Sequence, residues 1–446
     1  MRSFRHRHRD KHGFPYLEGA LPVVGLMPRF YFGSRRLLDD AERRLGPLFW
    51  MDLGFGAEVL MCRHLDGLVA LRNKTTTSTH YQVRAHALLG DSLITQDGAK
   101  HHHMRSALNG PFTPKGLSAA EVGPIMAETI EACVRSWARE RELRVLAATR
   151  ELALSVIFRI IGIPPGDLGA WRHQYEEFVL SGLNLPIDLP GFPRWRGRRA
   201  KAWLDERLLG IIREARERHG GGGGLLAHLV EARDEAGEGL TERELVENLR
   251  LLALAGHETS ATTMAWMVIE LGRDPARWRR LCDEALAGDG VPQAPRELKQ
   301  YPFAEALFRE ALRLHPPVHG VSRQVTGPLE VAGRTIPVGT EFSLDLDHLS
   351  RHESLYEEPG RFLPERWLGK SEAISPVEIL QFGGGPHFCL GYHLAWMEVV
   401  QFAVALARTM APLGLHPVTG EWPRTHFLPL AHPAPRTRIR WEGMDR

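Results

Sequence analysis

The chain has 446 residues, of which 43% are hydrophobic and 25% are charged, values that are ordinary for a globular protein. Its formal net charge is +2 with histidine neutral, which gives no electrostatic reason to expect a polyanionic partner such as nucleic acid. A chain of this length can enclose a large ligand in a dry interior. No linker rich in Gly, Ser and Pro separates two cores, so we expect one large domain over residues 14–446.

The first thirteen residues are strongly basic. Their cations are Arg2, Arg5, Arg7, Arg9 and Lys11, and histidines lie between them. We interpret residues 1–13 as a flexible arm, with contact to nucleic acid or a membrane surface as the alternative. No apolar stretch of the signal-peptide type follows the arm, so we expect a cytoplasmic protein.

Further along the chain, alternating apolar residues over 48–62 predict a β-hairpin. Helical spacing predicts a series of helices, and the segments between them read as a loop and a flexible glycine connector. The predicted helices are 119–137, 145–161, 171–180, 201–219, 242–272, 301–314 and one from Cys389 to about 410; the loop is 181–194 and the connector 220–224. Residues 329–345 are strand-like. The fold class is therefore mainly α with a minor β part.

The longest apolar run covers 249–271 and is interrupted by four ionisable residues, Arg250, His257, Glu258 and Glu270. Charges near the middle of a membrane span are costly, so this run predicts a core helix and we expect no membrane anchor. The four cysteines are Cys62, Cys133, Cys282 and Cys389, and none forms a Cys-x-x-Cys pair. Zinc and iron–sulfur frameworks are therefore disfavoured.

Cys389 differs from the other cysteines in its neighbours. It follows three glycines and two aromatic residues within Phe382–Gly391, and helical spacing begins after it. Glycines allow the backbone to turn tightly against a flat ligand, and a helix N-terminus favours a thiolate. A Gly-rich turn beside an ordinary buried cysteine is the alternative.

This stretch closely resembles the heme-binding loop of the cytochrome P-450 family, with matches at Phe382, Gly385, Cys389 and Gly391. The family often has Arg two residues before the cysteine, whereas this chain has His387. The resemblance implies that Cys389 binds the iron of heme b. It also implies that the backbone or side chains of Phe382, Gly383, His387 and Gly391 contact the cofactor.

A second match is Ala255–Thr259 inside the long predicted helix, which resembles the family's oxygen-activation motif. The resemblance implies that Ala255 lies against the heme and that Thr259 hydrogen-bonds bound oxygen. Glu258 would then help to deliver protons. Taken alone, a Glu-Thr pair in the middle of a helix is more often solvent-facing or bonded locally.

A third match joins Glu310 and Arg313, one helical turn apart, to Arg366 in a Pro-Glu-Arg-Trp segment. In the family such residues form a buried network near the cysteine loop, so these three imply a structural role. Trp367 stands where Phe is commoner in the family.

A fourth match concerns the heme propionates. His101 and Arg105 share one helix face and follow the family's His-x-x-x-Arg pattern, and Arg323 matches another propionate contact. The triple histidine 101–103 could instead bind a metal, although no supporting Glu or Cys lies near it in the sequence. We assign no role to His102 and His103.

Together these motifs predict a cytochrome P-450 fold around a buried heme, and a monooxygenase that uses dioxygen, two electrons and two protons. By family position, the expected substrate-binding residues are mostly apolar: Leu88, Leu89, Ala253, Gly256, Val318, Val321 and Phe427. The loop 183–191 resembles that of sterol- and retinoid-oxidising members, which favours a terpenoid, steroid or similar substrate; packing of a pocket lid is its alternative role.

The chain has no flavin, nicotinamide or iron–sulfur fingerprint. We therefore expect electrons to come from a separate ferredoxin or flavodoxin with its reductase. We also expect a monomer. Two other functions remain open: a peroxygenase or oxidative coupling or rearranging enzyme, and a heme-based gas sensor or carrier. The pair Glu258 and Thr259 favours the monooxygenase, because enzymes that bypass dioxygen often lack an acid–alcohol pair.

Overall fold

The computed structural model describes residues 10–78, 86, 88–183, 188–218, 224–369, 378–427 and 430–443. Its helices are α1 (Met27–Leu45), α2 (Gly98–Asn109), α3 (Pro114–Ala119), α4 (Val122–Trp137), α5 (Val145–Ile160), α6 (Leu168–Leu183), α7 (Pro193–Glu217), α8 (Leu225–Glu231), α9 (Glu242–Leu271), α10 (Pro275–Ala287), α11 (Pro302–Leu314), α12 (Leu346–Leu349) and α13 (Tyr392–Met410). The fold class is confirmed, since helices dominate and the strands are short.

The strands are β1 (Asp10–Lys11), β2 (Phe14–Pro15), β3 (Leu48–Gly54), β4 (Ala57–Cys62), β5 (Thr76–Thr77), β6 (Glu142–Arg144), β7 (Gly320–Val325), β8 (Leu329–Val331), β9 (Arg334–Ile336), β10 (Glu341–Asp345), β11 (Leu415–Thr419), β12 (Thr425–His426), β13 (His432–Pro433) and β14 (Arg438–Gly443). The largest sheet has the order β3-β4-β10-β7-β5, in which β10 is parallel to β4 and antiparallel to β7. Its β3–β4 hairpin is the one predicted over 48–62. A second sheet has the order β11-β14-β6, and β12 pairs with β13 as a separate hairpin.

Helix α9 runs through the centre of the molecule and packs against α5, α7, α11 and α13. A capping box fixes its start, because the Thr241 and Glu244 side chains each accept from the other's backbone N–H. Residues 245–250 and 260–271 of this helix are buried. In the turns between them, only Ala253 and His257 are buried, and Ala255 is exposed. The core therefore leaves a gap beside the middle of its central helix.

Helix α13 follows the predicted cysteine loop and packs against α4, α9, α10 and α11. The segment 385–413 around it is long and apolar enough to cross a membrane, but 61% of its most apolar window is buried inside the protein. Its apolar side chains are thus accounted for by contacts within the core.

Charged side chains from several elements meet around a small cavity of about 210 Å³ between α1, β4, β10 and α12. Asp347 accepts two hydrogen bonds from Arg35 of α1, at 2.6 and 2.9 Å. Buried Arg63, which follows β4, lies 3.5 Å from Asp345 of β10 and 2.5 Å from Asp39 of α1. This charge cluster joins the helical and sheet regions of the chain.

Candidate functional site

The loop that carries Cys389 connects a 3-10 turn at Leu380–Phe382 to α13. The Cys389 N–H donates to the Phe382 carbonyl oxygen at 2.9 Å, which closes the loop. Gly383 and Gly385 have φ angles of +76° and +65°, a region that side chains disfavour. A Cβ atom on Gly385 would also overlap the carbonyl oxygen of Leu71. Both conformation and space therefore require glycine at 385.

Cys389 lies three residues before the first helical residue of α13. It is deep inside the protein, yet part of its surface stays free of protein contact. Burial raises the pKa of its thiol, while the Gly391 N–H and the charge of Arg105 oppose that rise. Cys62, Cys133 and Cys282 have pKa values raised to about 12, 11 and 12, also by burial. Cys389 combines a backbone N–H donor and a nearby guanidinium beside its sulfur, and both favour a thiolate.

Three aromatic rings surround this loop. Tyr392 meets the Phe382 ring edge-on at 4.8 Å between centroids and the Phe388 ring at 5.6 Å. Phe382 and Phe388 are the two aromatics of the sequence motif, whereas Tyr392 was not predicted. Its position in the first turn of α13 gives no distinct signal in the sequence.

The structure brings three predicted cofactor residues together at the cysteine loop. The His101 and His387 rings are 4.2 Å apart, and Arg105 Nη1 donates to the Phe388 carbonyl oxygen at 2.6 Å. His101 Nε2 is buried and finds no hydrogen-bond partner among the described residues. Burial and the neighbouring His387 lower the pKa of His101 to about 4. An unpartnered ring nitrogen beside a guanidinium is a suitable place for a carboxylate group of a ligand.

Asp97, which the sequence did not indicate, holds His387 in place. Its Oδ1 lies 2.9 Å from His387 Nε2, and its Oδ2 accepts from the Ser78 N–H at 2.6 Å. Burial opposes ionisation of this carboxyl, but the hydrogen bond from His387 keeps its pKa below the usual value. Arg323 lies on a different element, β7, where it is buried and its Nη1 donates to the Ser322 carbonyl oxygen.

The predicted acid–alcohol pair lies on the unburied middle of α9. Thr259 Oγ1 donates to the Ala255 carbonyl oxygen at 2.6 Å. Glu258 Oε2 accepts two hydrogen bonds from Arg150 of α5, at 2.8 and 3.0 Å. The sequence did not identify this arginine, because nothing in the periodicity of α5 shows which charge faces α9. Glu258 is thus clamped rather than free.

Two neighbours of this pair face helices rather than the gap. A Cβ atom on Gly256 would lie 2.9 Å from Ile157 Cδ1, so this glycine allows α9 to approach α5. The family resemblance predicts Gly256 as a substrate-binding residue, and in the structure the side of Gly256 on which a Cβ would lie faces α5. The His257 ring meets Tyr175 of α6 edge-on at 5.7 Å, and burial lowers its pKa to about 4.

The predicted trio around Glu310 forms one buried network. Arg313 donates to both carboxylate oxygens at 2.7 and 2.8 Å, and Arg366 Nε donates at 3.1 Å. Trp367 Nε1 adds a hydrogen bond of 2.9 Å that a phenylalanine could not make. Arg313 also donates to the Ser350 carbonyl, and the Ser350 hydroxyl accepts from Gln381. The network therefore reaches the turn that precedes the cysteine loop.

The predicted substrate-binding residues lie in different apolar clusters. Ala253 is in α9, and Leu88 and Leu89 lie beside that helix, since Arg250 of α9 donates to the Leu88 carbonyl oxygen at 3.2 Å. Val318 and Val321 pack with the cluster of the large sheet, and Phe427 packs with that of α1. Part of the loop 183–191 lies outside the described residues, as do residues 1–9 of the basic arm and most of the glycine connector.

His103 Nδ1 lies 2.7 Å from Asp234 Oδ2, and His102 lies 3.6 Å from Glu235. Among the described residues, no group of three or more His, Cys, Asp or Glu side chains could hold a metal ion. The described structure thus gives His102 and His103 partners on a neighbouring loop. His102, Asp234 and Glu235 border a surface pocket of about 550 Å³ beside Gly385 and Pro386.

Comparisons with known proteins agree with this geometry. The family model described as Cytochrome P-450 matches residues 15–410. Cytochrome P-450 BJ-4 of Bradyrhizobium diazoefficiens is 41% identical over 441 residues, which cover 98% of each chain. A Streptomyces melanosporofaciens protein named cyclooctat-9-en-7-ol 5-monooxygenase is 30% identical over 90% of this chain and 89% of its own.

A solved structure gives the same result at the level of the fold. The cyanobacterial CYP120A1 with retinoic acid bound superposes with a TM-score of 0.82 at 25% sequence identity. The superposition covers 95% of this chain and 98% of that one.

Proposed function

Because the chain belongs to the cytochrome P-450 family and is a heme-dependent monooxygenase, we propose that the Cys389 sulfur would bind the iron of a heme b. The observation that carries the proposal is the setting of its sulfur. Cys389 lies three residues before α13 and close to Arg105. It is deep in the protein, but part of its surface contacts no protein atom. When bound, the heme supplies the activation of dioxygen, and sulfur donation favours O–O cleavage.

The propionates would bind beside this loop. His101 Nε2 lacks a partner among the described residues, Arg105 lies on the same face of α2, and Asp97 fixes the ring of His387. We assign Arg323 of β7 to the same role, as the family resemblance implies. Arg105 would then exchange its bond with the Phe388 carbonyl for a charge-assisted bond, or make both.

On the other side of the cofactor, Ala255 and Thr259 would line the place where oxygen is reduced. The Thr259 hydroxyl hydrogen is engaged by the Ala255 carbonyl, so its lone pairs remain to accept a hydrogen bond. Glu258 is the acid that would move protons towards this hydroxyl. To do so it must first change its pairing with Arg150, which donates two hydrogen bonds to it.

The substrate would be a hydrophobic small molecule, in line with the apolar character of Leu88, Leu89, Ala253, Val318, Val321 and Phe427. Gly256 would act there only through its backbone. The names of two relatives refer to cyclooctat-9-en-7-ol and retinoic acid, each a polar group on a hydrocarbon framework. We therefore favour a terpenoid, steroid or similar lipid-like substrate for this chain.

Electrons come from a redox partner, and we propose a separate ferredoxin or flavodoxin with its reductase. The exposed Gly385 and Pro386 place the cysteine loop close to the surface, and the pocket beside them includes the cations Arg105 and Arg233. An acidic donor would be attracted to those cations. We propose a cytoplasmic monomer.

Replacement of the sulfur tests the central assignment. The Cys389→Ser protein is expected to lose the strongly red-shifted Soret band of the ferrous–carbonyl complex, since an alcohol cannot replace thiolate donation. Cys282→Ser, at a buried cysteine of α10, is the matched control and should keep the band. Retention of the band in Cys389→Ser would refute the proposal. Turnover with peroxide but none with reduced ferredoxin and oxygen would favour the peroxygenase instead.

A further inference from the structure

We propose that the β12–β13 hairpin carries a proton path from the surface to Glu258, with His426 as its outer and His432 as its inner group. The inference rests on the proposed function, since it concerns the protons that dioxygen reduction consumes. It adds residues from a part of the chain that no sequence motif indicated.

The β12–β13 hairpin lies between α1 at the surface and α9, the helix that carries Glu258. Its register pairs His426 directly with His432, and their rings lie 5.6 Å apart. Strand β12 packs against α1, and β13 packs against α9, the helix that carries Glu258 and Thr259. Two histidines on paired strands thus span the space between the outer helix and the central one.

The outer end is accessible to solvent. Tyr31 of α1 and His426 are both only partly buried, and Tyr31 Oη lies 3.2 Å from His426 Nδ1. Burial and the nearby Arg424 lower the pKa of His426. A proton that its imidazole takes up from water is therefore readily passed on.

The inner end is buried. His432 is 6% exposed, and its Nδ1 lies 2.8 Å from the Pro433 carbonyl oxygen. A carbonyl only accepts, so Nδ1 carries the proton and Nε2 keeps the lone pair that can receive another. Burial lowers the pKa of His432; the Pro433 carbonyl and Glu258 oppose this, whereas Arg150 and His426 reinforce it. His432 is thus within electrostatic reach of the Arg150–Glu258 pair.

Glu258 needs a group that supplies it with protons. Arg150 donates two hydrogen bonds to one of its carboxylate oxygens and holds the side chain in place. Its other neighbours, His257 and Tyr175, are buried on the side of α5 and α6, and burial raises the pKa of Tyr175. Of the described titratable groups that interact with Glu258, His432 is the one connected to a partly exposed histidine.

The path balances the reaction. Dioxygen, two electrons, two protons and a substrate C–H bond give an alcohol and one water. The redox partner supplies both electrons, and each proton passes from solvent through His426 and His432 to Glu258 and then to the Thr259 hydroxyl. Each imidazole returns to its neutral form after a transfer. His432 contacts neither oxygen nor substrate in this path. It acts only by passing the proton to Glu258.

The first test is His432→Gln in the heme-loaded protein, with His416→Gln as the control at a half-buried histidine of β11. We expect product formed per electron pair to fall about tenfold or more in His432→Gln, with hydrogen peroxide released in place of product. The solvent deuterium isotope effect should increase as well. The control should match the wild type. Unchanged coupling and isotope effect in His432→Gln would overturn the proposal.

The second test measures the contact itself, without turnover. Histidine-labelled protein in the diamagnetic ferrous–carbonyl form is titrated by NMR, in the wild type and in Glu258→Gln. The His432 titration midpoint should be lower in Glu258→Gln, because the opposing negative charge is lost. An unmoved midpoint would refute the path, even if His432→Gln itself failed to fold.

The two proposals fail in different ways. Loss of thiolate ligation is detected by the carbonyl Soret band in Cys389→Ser, whatever the behaviour of His432. A wild-type band together with normal coupling in His432→Gln and His426→Gln would remove the proton path alone.

Discussion

Trp367 donates a hydrogen bond to a buried carboxylate. Its indole N–H donates to Glu310, which is fully buried and also binds Arg313 and Arg366. Burial opposes ionisation of Glu310, but the hydrogen bonds and charge of Arg313, the Leu363 N–H and the charge of Arg366 keep its pKa below the usual value. The ionised Glu310 therefore stabilises the fold above the ordinary carboxyl pKa, and this stabilisation is lost as the pH falls through its lowered value.

We predict that Trp367→Phe lowers the free energy of unfolding by about 1–3 kcal/mol more than the loss of ring volume alone, because a buried charged acceptor loses a donor. Trp441→Phe is the matched control. Trp441 is also buried, but its Nε1 has no partner among the described residues. Urea unfolding measures both variants. Equal losses in the two would show that the Glu310 bond contributes nothing.

Single residues also show what a sequence can indicate about a site. Cys389, His387, His101 and Arg105 belong to motifs with fixed spacing, and the structure brings them to one loop. Asp97 and Arg150 escaped prediction because each pairs with a residue distant in the chain. Tyr392 and His432 belong to no motif that the sequence shows. Spacing along one helix or loop is readable from a sequence, whereas the pairing of distant side chains depends on how the elements pack.

The same distinction holds for whole elements. The periodic helices α4, α5, α9 and α11 were predicted to within a few residues. Helices α1, α3, α8, α10 and α12 were missed, and α7 begins at Pro193, eight residues before its predicted start. Proline stands at several of these helix starts, where its fixed φ and missing N–H suit the first turn. Pro28, Pro193 and Pro275 all stand in the first turn of a helix.

The contact between α9 and α5 allows a prediction about two elements. Gly256→Ala should destabilise the protein, since its Cβ would lie 2.9 Å from Ile157 Cδ1. In an Ile157→Val background that atom is absent, so the same change should instead stabilise by about 0.5–1 kcal/mol through helix propensity. A double-mutant cycle of urea unfolding midpoints measures this change of sign. Additive effects would mean that the helices do not touch at this point.

At the scale of the whole molecule, the charge cluster ties α1 to the large sheet and makes stability depend on pH. Burial raises the pKa of Asp345 to about 7, although Arg63 opposes this. The neutral carboxyl is the favoured form in the folded protein. Its contribution is fully present below the ordinary value of about 3.8 and is lost as the pH rises through about 7. Asp347, Asp39 and His348 face the same group.

We therefore predict that Asp345→Asn flattens the dependence of stability on pH between about 4 and 7, because an amide cannot ionise. Thermal unfolding at a series of pH values measures it, with Asp40→Asn at an exposed site of α1 as the control. A slope in Asp345→Asn equal to that of the wild type would contradict the prediction.

The turns of α9 that the protein leaves unburied, between residues 250 and 260, affect how long the protein survives in the cell. Side chains that line a gap have no contacts there until a cofactor and a substrate provide them, and anything that binds only the folded chain stabilises it by mass action. The amount of this protein that escapes proteolysis should thus follow the supply of heme. Cells short of heme would accumulate less of the polypeptide even at an unchanged rate of synthesis.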